Sequence, residues 1–386
     1  MRHKVLFLLA VTSGSILPGF ILAGGTALAA TSTHKVCGNI PARSARCFAT
    51  IVTDGGGISP LATGTPQGYG PADFKAAYAN RGTSATHVGV VVAYDAPHIQ
   101  ADLATFSKVY GLPAPPVCTS ARQTGCLEKV NQRGGIAYPQ ADSGWAVEAS
   151  LDVESIHGQC PGCRISLVEA SSPSMDNLAA ATEEAVTLGA KVVSNSYGGA
   201  ESSGEAAYDS HYHKPGAMMV VSSGDSGYGT EYPAASPYVV AVGGTSLKMS
   251  NGRVISETAW SGAGSGCSQF EYKPVWQHDK KCVMRSIADI AADADPTTGA
   301  SIYDSYANSG RSGWFTVGGT SLAAPLVAGI IAASGNTSNE PASLYGGVGS
   351  VIRDITTGSN GNCATYLCKA SPGYDGPTGL GVLSHL

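Results

Sequence analysis

Ser321 stands in the stretch Val317-Gly318-Gly319-Thr320-Ser321-Leu322-Ala323-Ala324-Pro325-Leu326. A glycine pair allows a tight backbone approach, and the small apolar run that follows reads as a buried helix. Ser321 therefore falls at a helix start, where main-chain N–H groups are unpaired and carry positive partial charge. A hydroxyl placed there can attack a carbonyl carbon while those N–H groups receive the developing oxyanion. The plainer reading is a Thr-Ser cap on a core helix.

A serine nucleophile needs a proton acceptor. None of the nine histidines sits in a convincing motif: His157 is followed by Gly158-Gln159, and His211 and His213 alternate on a polar segment. Carboxylates are better placed. From Trp145 to Ile156 the pattern is helical, with Trp145, Ala149, Val153 and Ile156 forming one apolar stripe. Asp152 falls inside that stripe and Glu148 on its flank one turn away, so two acids at i and i+4 share a face expected to be buried. Glu154 falls on the opposite side and is expected in solvent. Two buried carboxyls side by side are tolerable if they share a proton. A histidine base, with a reference pKa of about 6.5, is protonated in acid, whereas a glutamate at about 4.3 still accepts protons there. A serine–glutamate pair thus predicts work at acidic pH.

A further acid fits that logic. Asp225, in Ser222-Ser223-Gly224-Asp225-Ser226-Gly227, stands at a predicted strand end. Protonated, it can donate a hydrogen bond to an oxyanion, as carboxylic acids kept neutral do elsewhere. An ordinary turn is the alternative reading.

These residues need a scaffold. Strands are predicted at 87–94, 164–170, 191–197, 216–223 and 238–243. Helices are predicted at 99–110, 143–157 (capped by Asp142 or Ser143), 175–188 and 205–213. The alternation, with near-continuous apolar strands, implies an α/β fold with a mostly parallel sheet covered on both faces, which places ligands at the carboxyl ends of strands. The hexamer Val-Gly-Gly-Thr-Ser-Leu occurs at 242–247 and again at 317–322. Ser246 is followed by a strand-and-turn pattern and Ser321 by an apolar helix, so Ser321 is the stronger candidate.

Composition narrows the setting. The 386 residues carry only 13% charged side chains and a formal net charge of −5, with no basic run, which argues against a nucleic-acid partner. Few lysines and arginines also limit self-repulsion in acid. Arg2, His3 and Lys4 precede an apolar core, and Ala27-Leu28-Ala29-Ala30 suits cleavage, so residues 1–30 read as a signal peptide. No later stretch reaches the roughly 20 apolar residues of a membrane span. The ten cysteines fall in neighbouring pairs, Cys37/Cys47, Cys118/Cys126, Cys160/Cys163, Cys267/Cys282 and Cys363/Cys368, for which five local disulfides are the simplest pairing and export the natural setting. Residues 31–66, polar and Gly-rich, read as an extension or strap, and 67–386 as one catalytic domain.

Together these motifs resemble the sedolisins, the serine-carboxyl peptidases of subtilisin-like fold. The resemblance rests on Glu148-x-x-Leu151-Asp152, on Ser222 to Gly227, on Gly318 to Pro325, and on Asp354-Ile355 with Gly373-Tyr374-Asp375, in that order. It implies Ser321 as nucleophile, Glu148 as general base and later acid, Asp152 as the residue that orients Glu148, and Asp225 as oxyanion partner. It also implies one structural Ca²⁺ held by Asp354 and Asp375 and by the carbonyls of Ile355, Ser371 and Gly373, a hard-oxygen set that suits the ion. Family members usually carry a large prodomain, and only residues 31–66 stand in that place here. The implied protein is a secreted endopeptidase of acidic surroundings, monomeric, with protein or peptide substrates, free of nucleic acid and, once the leader is removed, of membrane. An inactive secreted relative serving as a binding protein is the alternative. A glycosidase using Glu148 and Asp152 would leave Ser321 and Asp225 without a task.

Overall fold

A computed structural model of the chain describes Met1 and residues 32–38, 43–54, 60–337, 341–346 and 351–384. The signal peptide expected over residues 1–30 lies, Met1 apart, outside the described residues. In chain order the elements begin with three short strands, β1 (Ser32–Lys35), β2 (Arg46–Cys47) and β3 (Thr50–Thr53). There follow α1 (Pro71–Ala77), β4 (His87–Ala93), α2 (Ile99–Tyr110), β5 (Leu127–Asn131), α3 (Ser143–Gln159), β6 (Arg164–Ala170) and α4 (Met175–Thr187). Next come β7 (Val192–Asn195), β8 (Tyr197–Ala200), α5 (Asp209–Tyr212), β9 (Met218–Ser222), β10 (Glu231–Tyr232), β11 (Val239–Ser250) and β12 (Arg253–Ala259). The remainder is β13 (Gly266–Tyr272), β14 (Met284–Ile287), β15 (Ile290–Asp293), β16 (Ala300–Asn308), β17 (Arg311–Gly318), α6 (Thr320–Ser334), α7 (Ala342–Gly346), β18 (Ile352–Arg353) and β19 (Val382–Leu383).

The main sheet runs in the order β18-β19-β15-β11-β9-β7-β4-β6-β5, with β12 paired to β11. From β19 to β5 every pairing is parallel. Such strands are buried on both faces, which is why His87–Ala93 and Arg164–Ala170 read as apolar runs rather than alternating ones. Helix α6 is apolar on every side and buried along nearly its whole length. It packs against α3 and against β7, β9, β11 and β15, while α4 packs on β4 and β6.

The expected elements are present, with moved boundaries. The segment 205–213 divides into a 3-10 turn at Glu205–Tyr208 and the short α5. The strand expected at 238–243 runs on to Ser250 because β12 pairs with its second half. All five neighbouring cysteine pairs are disulfide-bonded, Cys160–Cys163 included.

Glu154 corrects the sequence reading. It is fully buried, not solvated. Helix α3 has no wet face, because the β16–β17 hairpin closes over the side away from the sheet, and the Tyr303 N–H donates to Glu154 Oε2 at 2.9 Å. A hairpin far away in sequence leaves no trace in the periodicity of the helix it covers.

Candidate active site

Asp142 caps α3, its Oδ1 accepting from the N–H groups of Gly144 and Trp145 at 2.9 and 3.0 Å. One and a half turns on, Glu148 points towards the start of α6, and Asp152 lies one turn further. Both are completely buried. Ser196, between β7 and β8, donates its hydroxyl to Asp152 Oδ1 at 2.7 Å. Glu148 Oε1 and Asp152 Oδ2 are buried without a hydrogen-bond partner, and each carboxyl acts on the other's protonation. Burial pushes Glu148 well above the usual carboxylate range, and the neighbouring Asp152 adds to it; the Ser321 hydroxyl and the Ala49 N–H act in the opposite direction. Burial likewise raises Asp152.

At Gly319 the chain turns with φ 99°, a left-handed value that a side chain resists. A Cβ there would sit 1.8 Å from the carbonyl oxygen of Phe48 and 2.5 Å from Asp225 Oδ2, so the position admits only hydrogen. Helix α6 then opens at Thr320, with Ser321 in its first turn. The Ser321 Oγ–H donates to the carbonyl oxygen of Ser196 at 3.2 Å, and Oγ accepts from the N–H of Phe48 at 2.9 Å. Pro325 cannot supply the N–H that would close the helical bond to the Ser321 carbonyl. The Ser196 hydroxyl approaches that carbonyl instead, at 3.5 Å.

Asp225 follows β9, at the carboxyl end of the parallel sheet. Its Oδ1 accepts from the Thr320 N–H at 2.7 Å and from the Thr320 hydroxyl at 2.8 Å. Its Oδ2 is buried without a partner beside Gly319. Burial pushes this carboxyl up to about 7, against the pull of the Thr320 donors.

The fold therefore brings Ser321, Glu148, Asp152 and Asp225 together from three separate elements. Among the described residues no histidine hydrogen-bonds Ser321. Sequence reasoning overlooked Ser196 and Thr320, which orient Asp152 and Asp225. Thr320 stands next to Ser321, and that adjacency was the available signal; Ser196 lies within the strand expected over 191–197, where nothing marked it. Sequence reasoning also overlooked Phe48 and Ala49, whose N–H groups reach Ser321 and Glu148; no side-chain pattern marks a main-chain contact.

The second candidate set lies near the C-terminus. Asp354, just past β18, accepts the Gly373 N–H at 2.8 Å through Oδ2. Asp375 is buried, its Oδ2 accepting from Ser371 N at 2.9 Å and its Oδ1 from the Thr378 N–H and hydroxyl at 3.0 and 2.9 Å. The two carboxyls bracket one turn, and no lysine or arginine among the described residues is paired with either. The described residues hold no cluster of three or more acidic, histidine or cysteine side chains suited to a metal. A cation here would rest on two carboxylates and main-chain carbonyls.

Comparison with known proteins agrees with this architecture. Residues 134–345 match the subtilase family. Sedolisin of Pseudomonas sp. strain 101 is 32% identical over 84% of this chain and 61% of its own length. Kumamolisin of Bacillus sp. strain MN-32 is 29% identical over 82% and 62%. The solved structure of Pseudomonas sedolisin, a serine-carboxyl proteinase, superposes with a TM-score of 0.70 at 30% identity, covering 83% of this chain and 96% of that one. The fold is subtilisin-like, and the chain belongs to the subtilase family and within it to the sedolisins. It spans about three fifths of the length of those two curated relatives.

Proposed function

We propose that this chain is a serine-carboxyl endopeptidase, exported through its N-terminal leader and working in acid. The observation that carries the reading is a hydroxyl in the first turn of a buried helix, flanked on one side by a buried pair of carboxyls and on the other by a buried carboxyl with a free oxygen.

Ser321 Oγ attacks the peptide carbonyl carbon, and its proton passes to Glu148. Asp152, tied to Ser196, orients Glu148 and carries the pair's shared proton while Glu148 is ionised. The oxyanion takes hydrogen bonds from the Ser321 N–H and from protonated Asp225. Glu148 then gives its proton to the leaving amine, leaving an acyl-enzyme. Water attacks the acyl carbon, its proton going to Glu148, which returns it to Ser321 Oγ as the C–O bond breaks and the acid product leaves. Two proton states are needed at once: a single proton in the Glu148–Asp152 pair and a proton on Asp225. The upper limit follows from Asp225, which loses its proton as pH rises through about 7 and would then repel the oxyanion.

The C-terminal turn fits one structural Ca²⁺ bound by Asp354, Asp375 and the carbonyls of Ile355, Ser371 and Gly373. Hard oxygens are the right donors, and two acids facing one turn without a basic partner are otherwise unfavourable. The ion would hold that turn and take no part in the reaction. Chelation should lower Tm, and Asp354→Ala with Asp375→Ala should remove the response to added Ca²⁺.

Hydrolysis of an acid-unfolded protein by the full chain, followed from about pH 2.5 to 7.5 beside Ser321→Ala, tests the reading. Acid-confined cleavage that disappears in the variant supports it. Cleavage that peaks at neutrality, or survives the substitution, contradicts it.

A further inference from the structure

The candidate active site lies at the carboxyl end of the parallel sheet, and the hairpin of β13 and β14 leads away from it. β13 begins beside the site: the Gly229 N–H, four residues from Asp225, donates to the Ser265 carbonyl at 2.8 Å. Gly266 pairs with Ile287, and six residues on, Tyr272 pairs with Met284. At about 3.3 Å per residue the hairpin spans up to about 20 Å. Its far end meets the amino end of the sheet, where the Tyr272 hydroxyl donates to that of Tyr238 at 2.9 Å, one residue before β11. The loop over 273–283 therefore stands at the end of the sheet opposite to Asp225.

This loop exposes what the rest of the chain buries. Val275 is 93% exposed and Val283 88%, more than any other large apolar residue among the described ones except Met1. Phe270 and Tyr272 on the adjoining strand are exposed as well. Neither valine is on a loose end. Trp276 packs on the Tyr345 ring with centroids 4.8 Å apart, Gln277 Nε2 donates to the Ser286 carbonyl at 2.6 Å, and Cys282 is disulfide-bonded to Cys267. Lys273 Nζ crosses the loop to the Asp279 carboxylate at 2.6 Å and to the Asp279 carbonyl at 2.7 Å. A loop fastened in this way holds both valines out in water, and exposed apolar clusters rimmed by polar residues mark contact surfaces.

The charge around the valines selects the partner. Asp279 is spent: besides Lys273 it accepts from the Lys281 and Cys282 N–H groups at 3.0 and 3.1 Å and from the Tyr366 hydroxyl. Lys280 and Lys281 are exposed, and neither is in an ion pair among the described residues. The loop is thus locally cationic on a chain of formal net charge −5. A second copy of this chain fits it badly, because a two-fold contact would set these lysines against their own copies. A polyanion would pair the lysines and leave the valines in water. A bilayer with anionic headgroups satisfies both groups: lysines gain from its surface potential, apolar side chains enter the acyl boundary, and tyrosine suits the headgroup level. Beside Lys280 a hollow of about 380 Å³, bordered by the rings of Tyr345, Tyr366 and Tyr374, leaves room for a headgroup.

We propose that the loop over 273–283 docks the folded chain on an anionic lipid surface, Val275 and Val283 entering the acyl boundary and Lys280 and Lys281 meeting the headgroups, with Ser321 on the side turned to water. The docking is peripheral: among the described residues no helix is long and apolar enough to cross a membrane. It stands whether or not Ser321 is a nucleophile.

Cosedimentation of the full chain with phosphatidylglycerol vesicles tests it, each variant first shown to keep the wild-type melt. Val275→Ser/Val283→Ser and Lys280→Gln/Lys281→Gln are each expected to lower the partition coefficient at least about tenfold. The leader is common to every variant, so the ratio to wild type reports the loop. Val275→Trp locates the contact: lipids brominated on their acyl chains should quench its added fluorescence. Wild-type partition in both double variants, or no quenching in Val275→Trp, overturns the proposal. A loss confined to the lysine pair would mark a polyanion site and overturn the lipid assignment. So would a dimer that forms without vesicles and is dissolved by Val275→Ser/Val283→Ser.

Discussion

The same six residues, Val-Gly-Gly-Thr-Ser-Leu, take two structures in this molecule. At 242–247 they run straight through β11, paired in parallel with β15. Ser246 donates to Asp295 Oδ2 at 2.6 Å there, a structural hydrogen bond. At 317–322 the strand ends at Gly318, the chain turns left-handed at Gly319, and α6 begins at Thr320. The flanks decide. Lys248 and Met249 extend a strand against β12, whereas Ala323, Ala324 and the residues after them can only bury themselves as a helix under the sheet. A hexamer contributes local permission, and its neighbours choose between a core strand and a site for chemistry.

The largest effect should separate the two serines. Ser321→Ala is expected to lower kcat by at least about 10⁴-fold. Ser246→Ala should leave kcat unchanged and cost about 1 kcal/mol of stability in a denaturant melt. Equal losses of activity at both sites would erase the distinction. Next comes the base: Glu148→Gln, nearly isosteric, should lower kcat by about 10²–10⁴-fold with the melt largely intact. A fully active glutamine variant would remove Glu148 from the proton path.

The glycines sharpen the contrast. Gly319→Ala should strike activity first, because its Cβ would press on Asp225 Oδ2 while the backbone holds φ at 99°. Gly244→Ala meets the Ala294 side chain at 2.7 Å and Trp260 at 3.0 Å, an overpacking expected to cost about 1–3 kcal/mol while the folded fraction stays active. Steady-state rates normalised to folded protein distinguish the two outcomes.

The smallest effect concerns stability and pH. Burial pushes Asp304 up to about 7 and Glu169, Glu205 and Glu271 up to about 8. Between their unfolded values near 4 and these folded ones the native state binds more protons than the unfolded chain, so stability falls as pH rises. Calorimetry should give a Tm that declines between about pH 5 and pH 8. A Tm that climbs over that range would contradict the burial of these groups as neutral acids.

The parallel sheet was legible in the sequence because apolar β-branched runs alternate with helical patterns, and the disulfides because each cysteine has a close partner. Ser321, Glu148, Asp152 and Asp225 stood out by residue type and position, and the fold places them together. What was hidden depends on distant chain. Glu154 reads as solvent-facing until β16, with α1 and α2, packs on α3. Residues 31–66 read as a polar strap, and nothing in their side chains says that the Phe48 and Ala49 N–H groups end on Ser321 and Glu148.

The most direct test of the carboxyl-assisted serine mechanism is the pH profile of peptide hydrolysis for Asp225→Asn beside native Asp225. With Asp225 present, the rate should fall as pH rises through about 7. Asparagine donates a hydrogen bond at any pH, so its variant should keep activity within about tenfold and extend it to higher pH. An unchanged alkaline limb, or a rate that rises towards neutrality with Asp225 in place, would contradict the account.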